Sequence, residues 1–279
     1  MAEDNSDKSP GEILLPTNFL AYTGAALRLL RTSLRTAVVA FCLVGVFIAV
    51  FAAAGGTLAD TADSTDFLYV VLYAQLIALP FLGSLVSART SRVMALSLAG
   101  RDITLRAAGV GLRGYRSHLV VAAMLASFLT LALTFAMGLL GAFVGSHLLL
   151  GPPILAQVIA LERASFSEAW IRTKELLRGQ ALRLFLYLLC AALMIVMAEI
   201  IISGIVFTVL VAAIDEDVAV VVNTPIAGIV SGFGLALMSA FALESYLELR
   251  TRQDEDFGIE GLATELEDDE LDDEPETGE

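Results

Sequence analysis

Residues 118–161 read HLVVAAMLASFLTLALTFAMGLLGAFVGSHLLLGPPILAQVIAL, 44 positions without a Lys, Arg, Asp or Glu. A helix needs about 20 apolar residues to cross a hydrocarbon core about 30 Å thick. The run is too long for one crossing and right for two joined by a tight turn. Gly138–Gly141 is the natural turn, which places one membrane helix at 118–138 and the next at 142–161.

The same pattern recurs on both sides. Residues 36–56 and 67–88 form an earlier apolar pair. Residues 184–213 are interrupted only by Glu199, and 218–243 carry no charge at all. The expected fold is therefore all-α: a polytopic membrane protein of six transmembrane helices in three hairpins, spanning residues 18–252. Composition agrees. Of 279 residues, 57% are hydrophobic and 17% charged, with a mean hydropathy of +0.77. A soluble domain is nearer half apolar and a quarter charged. A soluble globular protein, a disordered chain and a basic nucleic-acid binder are excluded.

Charge placement gives the orientation. Lys and Arg near helix ends favour the cytoplasmic side. With six helices, all 17 Lys and Arg fall on one side. The opposite loops carry Asp60, Asp63, Asp66, Asp215, Glu216 and Asp217. Five or seven helices would put a basic cluster outside. The expected location is the cell membrane, multi-pass, with both termini cytoplasmic. Residues 1–17 read as a disordered acidic N-terminus. Residues 253–279, with 14 acids and no base, read as a disordered acidic tail. The near absence of Lys and a pI near 4.5 give the chain the composition of a halophilic archaeal protein. Cys42 and Cys190 lie in apolar runs and make no disulfide or metal framework.

Each hairpin follows a basic amphipathic stretch: 18–35, 102–117 and 165–183. In the third, Ser165 and Glu168 have capping-box spacing, Glu168 and Arg172 are an i,i+4 pair, and Trp170 suits an interface. Their basic faces suit the anionic headgroups of the lipid bilayer, the partner expected here. Three ordinary cytoplasmic linkers would show the same charge.

The stretch 152–184, PPILAQVIALERASFSEAWIRTKELLRGQALRL, with Pro153, Glu162, Ala169 and Gly179, resembles the membrane domain found in some glycerophosphodiester phosphodiesterases and, alone, in six-helix proteins of bacteria and archaea. The resemblance implies a fold. Only the acidic tail follows here, so it implies no phosphodiesterase activity.

HExxH, P-loop, GxGxxG and GxSxG patterns are absent. Neither an enzyme nor a cofactor is expected. The candidate functional residues are polar groups inside the apolar runs: Glu199 first, then His147, Asn223, Gln157 and Gln75. A charged group near the bilayer centre costs about 2.5–3.5 kcal/mol on insertion scales, so Glu199 should face the bundle. It is either functional or a protonated, hydrogen-bonded structural group. Pro80, Pro152, Pro153 and Pro225 interrupt the second helix of each hairpin, as binding-site helices of transporters are interrupted, or merely shape packing. Gly228 and Gly232 permit close helix approach. Glu244 and Glu248 should reach interfacial water, with Arg250 and Arg252 anchoring that end. The leading functional reading is a non-enzymatic scaffold or accessory protein. The alternative is a small-solute or lipid transporter using Glu199 and the proline-broken helices. A lipid-active enzyme would need a polar cluster around His118 and Glu162.

Overall fold

A computed structural model of the chain describes residues 18–61, 65–98, 100–101, 104–110, 112–137, 151–254, 257–258, 261–262 and 264. The N-terminal segment 1–17, the turn at Gly138–Gly141, the start of the fourth expected span and the acidic run 265–279 lie outside the described residues.

Every regular element among the described residues is an α-helix: α1 (Phe19–Thr32), α2 (Leu34–Thr61), α3 (Thr65–Leu98), α4 (Leu105–Val110), α5 (Arg116–Met137), α6 (Gly151–Glu162), α7 (Phe166–Leu177), α8 (Ala181–Ala213) and α9 (Glu216–Gln253). The all-helical class holds. Two helical stretches, Ala181–Ala213 and Val218–Gln253, are long and apolar enough to cross a membrane by length and composition. Val38–Phe51 and Arg116–Leu129 are shorter apolar segments.

Two expected elements differ. The stretch 102–117 does not form a full amphipathic helix. Among its described residues only Leu105–Val110 forms a helix of its own, a turn leads from Leu112 to Tyr115, and Arg116 already begins α5. Gly109, Gly111 and Gly114 fall within its sequence, and glycine weakens a helix interior. The three hairpins therefore do not share one introductory helix. Helix α3 also runs ten residues past Ala88, where Ala88 and residues 90–96 are buried by neighbouring helices.

Helix α2 packs between α3 and α9. Helix α8 lies along α9, and α5 and α6 lie against α3, with α6 also touching α9. Glycine sets the α2–α9 contact. A Cβ on Gly232 would stand 2.5 Å from Cα of Cys42, and one on Gly228 would stand 2.7 Å from Cα of Val46. Backbone meets backbone there, as the Gly-x-x-x-Gly spacing leads one to expect.

Burial is uneven along the bundle. At the end that carries the bases, α1, α3, α6 and α7 surround the last turns of α9, and every residue from Ser239 to Leu249 is buried. Away from that end, α8 exposes a broad aliphatic surface that includes Met197, Ile200, Ile201, Ile205 and Val209. A contiguous apolar surface of that kind marks contact with a membrane or a partner.

Candidate functional site: a buried polar layer at the basic end

The ends of α6 and α9 meet at Glu162. Its Oε1 accepts from the Tyr246 hydroxyl at 2.9 Å and from Arg250 Nη1 at 2.8 Å. Its Oε2 faces Nε of Arg172, on α7, at 3.4 Å. One carboxylate thus joins three helices. Arg172 also faces Glu175 at 3.7 Å. The pair expected between Arg172 and Glu168 is displaced because Glu168 serves the helix cap. Its Oε2 accepts from the Ser165 amide at 2.9 Å, and the Ser165 hydroxyl accepts from the Glu168 amide. Those hydrogen bonds from Ser165 hold the Glu168 carboxyl below its ordinary range.

A second knot lies on another face of α9, at Glu248, between Tyr246 and Arg250 in sequence. Oε1 of Glu248 pairs with Arg183, at the start of α8, and with Arg252 Nε at 3.0 Å. Glu248 is 0% exposed and Glu244 5%. These two acids do not reach interfacial water as expected, because α1 and the start of α8 cover that side of α9. Charged hydrogen bonds are about twice as strong as neutral ones, which compensates the desolvation of Glu248.

Helix α1 enters the layer through Tyr22. Its hydroxyl donates to the Phe241 carbonyl at 2.8 Å and also pairs with the Ser245 hydroxyl. Burial raises the Tyr22 phenol pKa well above its usual range, so it stays protonated. Asn18 caps the same helix by accepting from the Ala21 amide at 2.9 Å. On α7, Trp170 stacks on Phe166, and Nζ of Lys174 stands 5.1 Å from the indole centroid.

The residues of the resembling stretch have structural tasks here. Glu162 is the hub, and Ala169 is fully buried where α7 lies on the core. Gly179 takes φ +78° in the turn between α7 and α8, a conformation glycine adopts without a Cβ clash.

The candidate residues inside the apolar runs do not gather at one point. Glu199 faces α9, where its carboxyl meets the Ser231 hydroxyl and rests over Gly234. It is half-buried, and Ser231 rather than Asn223 is its partner. Asn223 lies two residues before Pro225 in α9, and its buried Oδ1 finds no hydrogen-bond partner among the described residues. Gln157 is fully buried on α6 and donates from Nε2 to the Ser87 hydroxyl at 3.3 Å. That hydroxyl meets Ser239 at 2.8 Å, which joins α3, α6 and α9. Gln75 lies in α3, and His147 lies outside the described residues.

The sequence reading singled out Glu248 and Arg250 only as interfacial charges, and Glu162 as a residue of the resembling stretch and of the polar cluster with His118 that a lipid-active enzyme would need. The i,i+4 spacings Tyr246–Arg250 and Glu248–Arg252 were visible signals of a polar seam. Their partners Glu162 and Arg183 lie 84 and 65 residues away, and no local spacing points to them.

Both oxygens of Glu162 and Oε1 of Glu248 join helices, whereas the buried Oε2 of Glu248 and Nε of Arg183 find no hydrogen-bond partner among the described residues. Comparison with protein families, with curated proteins and with solved structures finds no match.

Proposed function

We propose that this chain is a multi-pass integral membrane protein that acts as a non-enzymatic scaffold or accessory component. In this reading six helices cross the cell membrane and both termini are cytoplasmic. The single observation that carries it is the buried polar layer. Both oxygens of Glu162 and Oε1 of Glu248 join the amphipathic helix α7 to the ends of α6, α8 and α9. Such a layer makes a rigid cap on the cytoplasmic side. The exposed aliphatic surface of α8 suits acyl chains, and the one-sided placement of all 17 bases supports the orientation. Exposed Arg28 and Arg31 on α1 suit anionic headgroups, worth about 1 kcal/mol per base near the surface. The resemblance of the stretch 152–184 points the same way, and its Glu162, Ala169 and Gly179 lie in or beside this layer.

Impermeant thiol labelling tests the topology, in a background lacking Cys42 and Cys190. Asp215→Cys should react from outside intact cells. Arg113→Cys and Asp254→Cys should react only after permeabilisation. Outside labelling of Arg113→Cys would sink the six-span arrangement. Transport would instead require Glu199 to exchange protons or ligand. Its contacts with Ser231 and Gly234 favour a packing role.

A further inference from the structure

Glu244 and Glu248 stand one turn apart on α9, at the end of the bundle that carries the bases. Like charges at that spacing repel, and both side chains are almost wholly out of water. Two bases, Arg183 and Arg252, meet Oε1 of Glu248. Glu244 has no such support. Its carboxyl makes no ion pair or hydrogen bond among the described residues. The charges that act on it are Glu248 and, from α1, Arg28. Arg28 is exposed, so water and salt screen its attraction.

Glu248 has the complementary deficit. Its Oε2 is buried and finds no hydrogen-bond partner among the described residues. A buried acceptor without a donor is costly. A protonated carboxyl is a donor, and Glu244 is the buried acid without a base of its own, one turn away.

The other described groups around the pair are engaged elsewhere. From α1, the Tyr22 hydroxyl bonds to the Phe241 carbonyl and to Ser245. From α8, Arg183 meets Oε1 of Glu248 and stands 5.8 Å from the Tyr187 ring centroid. From α3, the buried Arg92 donates to the Ala160 carbonyl at 3.3 Å. From α6 and α7, Glu162 and Arg172 pair with each other, and Glu162 takes Tyr246 and Arg250 on α9. Arg183 Nε also lacks a partner. Turning it to Oε2 would satisfy both atoms and still leave Glu244 buried beside a carboxylate.

We propose that Glu244 and Glu248 form a proton-binding site, in which one proton carried on Glu244 bridges to Oε2 of Glu248 and latches α1 onto α9. With the proton in place the pair holds one negative charge, met by Arg183 and Arg252, and α1 closes over it through Tyr22. When the proton leaves to water on the basic side, a second carboxylate stands buried beside the first. Water relieves that repulsion once α1, which covers this side of α9, loosens. The docked form thus binds the proton more tightly than the loosened form, and rising pH favours loosening. The pair titrates as a unit, because the two carboxyls are strongly coupled. The site does not depend on the number of membrane spans or on the scaffold reading.

The test uses the full protein in detergent, in a Glu199→Gln background that removes the half-buried carboxyl on α8. Infrared spectra should show the carbonyl band of a protonated carboxylic acid at neutral pH. The band should fade as pH rises and be missing in Glu244→Gln. A titrating band that survives Glu244→Gln, or none in the parent protein, would overturn the shared proton. Amide-exchange protection in α1, corrected for the intrinsic effect of pH, gives the second reading. From about pH 5, above the ordinary carboxyl range, to about pH 9, it should fall about tenfold for each unit by which docking shifts proton affinity. Glu244→Gln keeps a donor without the charge and should hold the protection level. Protection in α1 of the unsubstituted protein that stays flat over that range, as the turned Arg183 would give, overturns the latch without any variant. An equal fall in Glu244→Gln overturns it too.

Discussion

Adding a single methyl group at Gly232 tests how the bundle is held together. A Cβ there would stand 2.5 Å from Cα of Cys42, 2.6 Å from the Phe41 carbonyl oxygen and 2.8 Å from the Cys42 amide nitrogen. Carbon atoms pack best at about 3.5–4.0 Å, so Gly232→Ala demands that α2 and α9 separate by about 1 Å. The obstructing atoms are backbone and have no rotamer by which to yield. Overpacking of this kind costs about 1–3 kcal/mol. Replacing glycine by alanine within a helix returns about 0.5–1 kcal/mol. The net cost should be about 1–2 kcal/mol. Gly204, on α8, is the control, since nothing stands within 4 Å of its Cβ position. Gly204→Ala should stabilise by the propensity gain alone, about 0.5–1 kcal/mol. At about 2–4 °C per kcal/mol for a chain of this size, the two variants should melt about 3–12 °C apart in detergent, with wild type between them. Adding Gly45→Ala to Gly232→Ala should cost less than the two singly, because the helices have already parted. Equal melting of Gly232→Ala and Gly204→Ala would refute the backbone contact between α2 and α9.

Glu162→Gln should destabilise by about 1.5–3 kcal/mol, since it removes charged hydrogen bonds, and should raise amide exchange across α7; chemical denaturation checks this, and an unchanged midpoint would remove Glu162 as the hub. Ser165→Ala should remove the cap of α7 at a cost of about 1 kcal/mol, read as faster exchange at the Glu168 amide. The Glu168 carboxyl has its pKa lowered in the fold from the ordinary 4.5, so the stability it contributes is present above pH 4.5 and is lost as pH falls through the lower folded value. Exchange at the start of α7 should therefore rise only below about pH 4.5, and Glu168→Gln should abolish that dependence. Glu199→Gln keeps the hydrogen bond to Ser231 and should leave the melting temperature unchanged, whereas Glu199→Leu should cost about 0.6 kcal/mol, typical of an interhelical contact; loss of a transport activity on Glu199→Gln with the fold intact would instead support the transport reading.

Much of the fold was legible in the residues because membrane-type helices satisfy their backbone locally. Long uncharged runs, glycine spacing and the capping box at Ser165 act within a few residues, and the structure repeats them: α8 and α9 follow the expected spans, the Gly228–Gly232 pair meets α2, and the box closes α7. The 102–117 stretch misled because its apolar periodicity outweighed three glycines in the reading and not in the chain. What the tertiary structure alone decided was the pairing of charges. Glu248 looks like a snorkelling surface acid until Arg183 arrives from the start of α8, and Glu162 looks like a helix-end charge until Tyr246 and Arg250 approach from the far end of the chain. The same holds for the tail. Its acidity argued for disorder, yet Leu262 belongs to the buried core and Phe257 packs against it. Local sequence fixes what each helix is, because its hydrogen bonds and period are short-range. Which buried charge finds which partner depends on packing between segments up to 88 residues apart, and no periodicity encodes that.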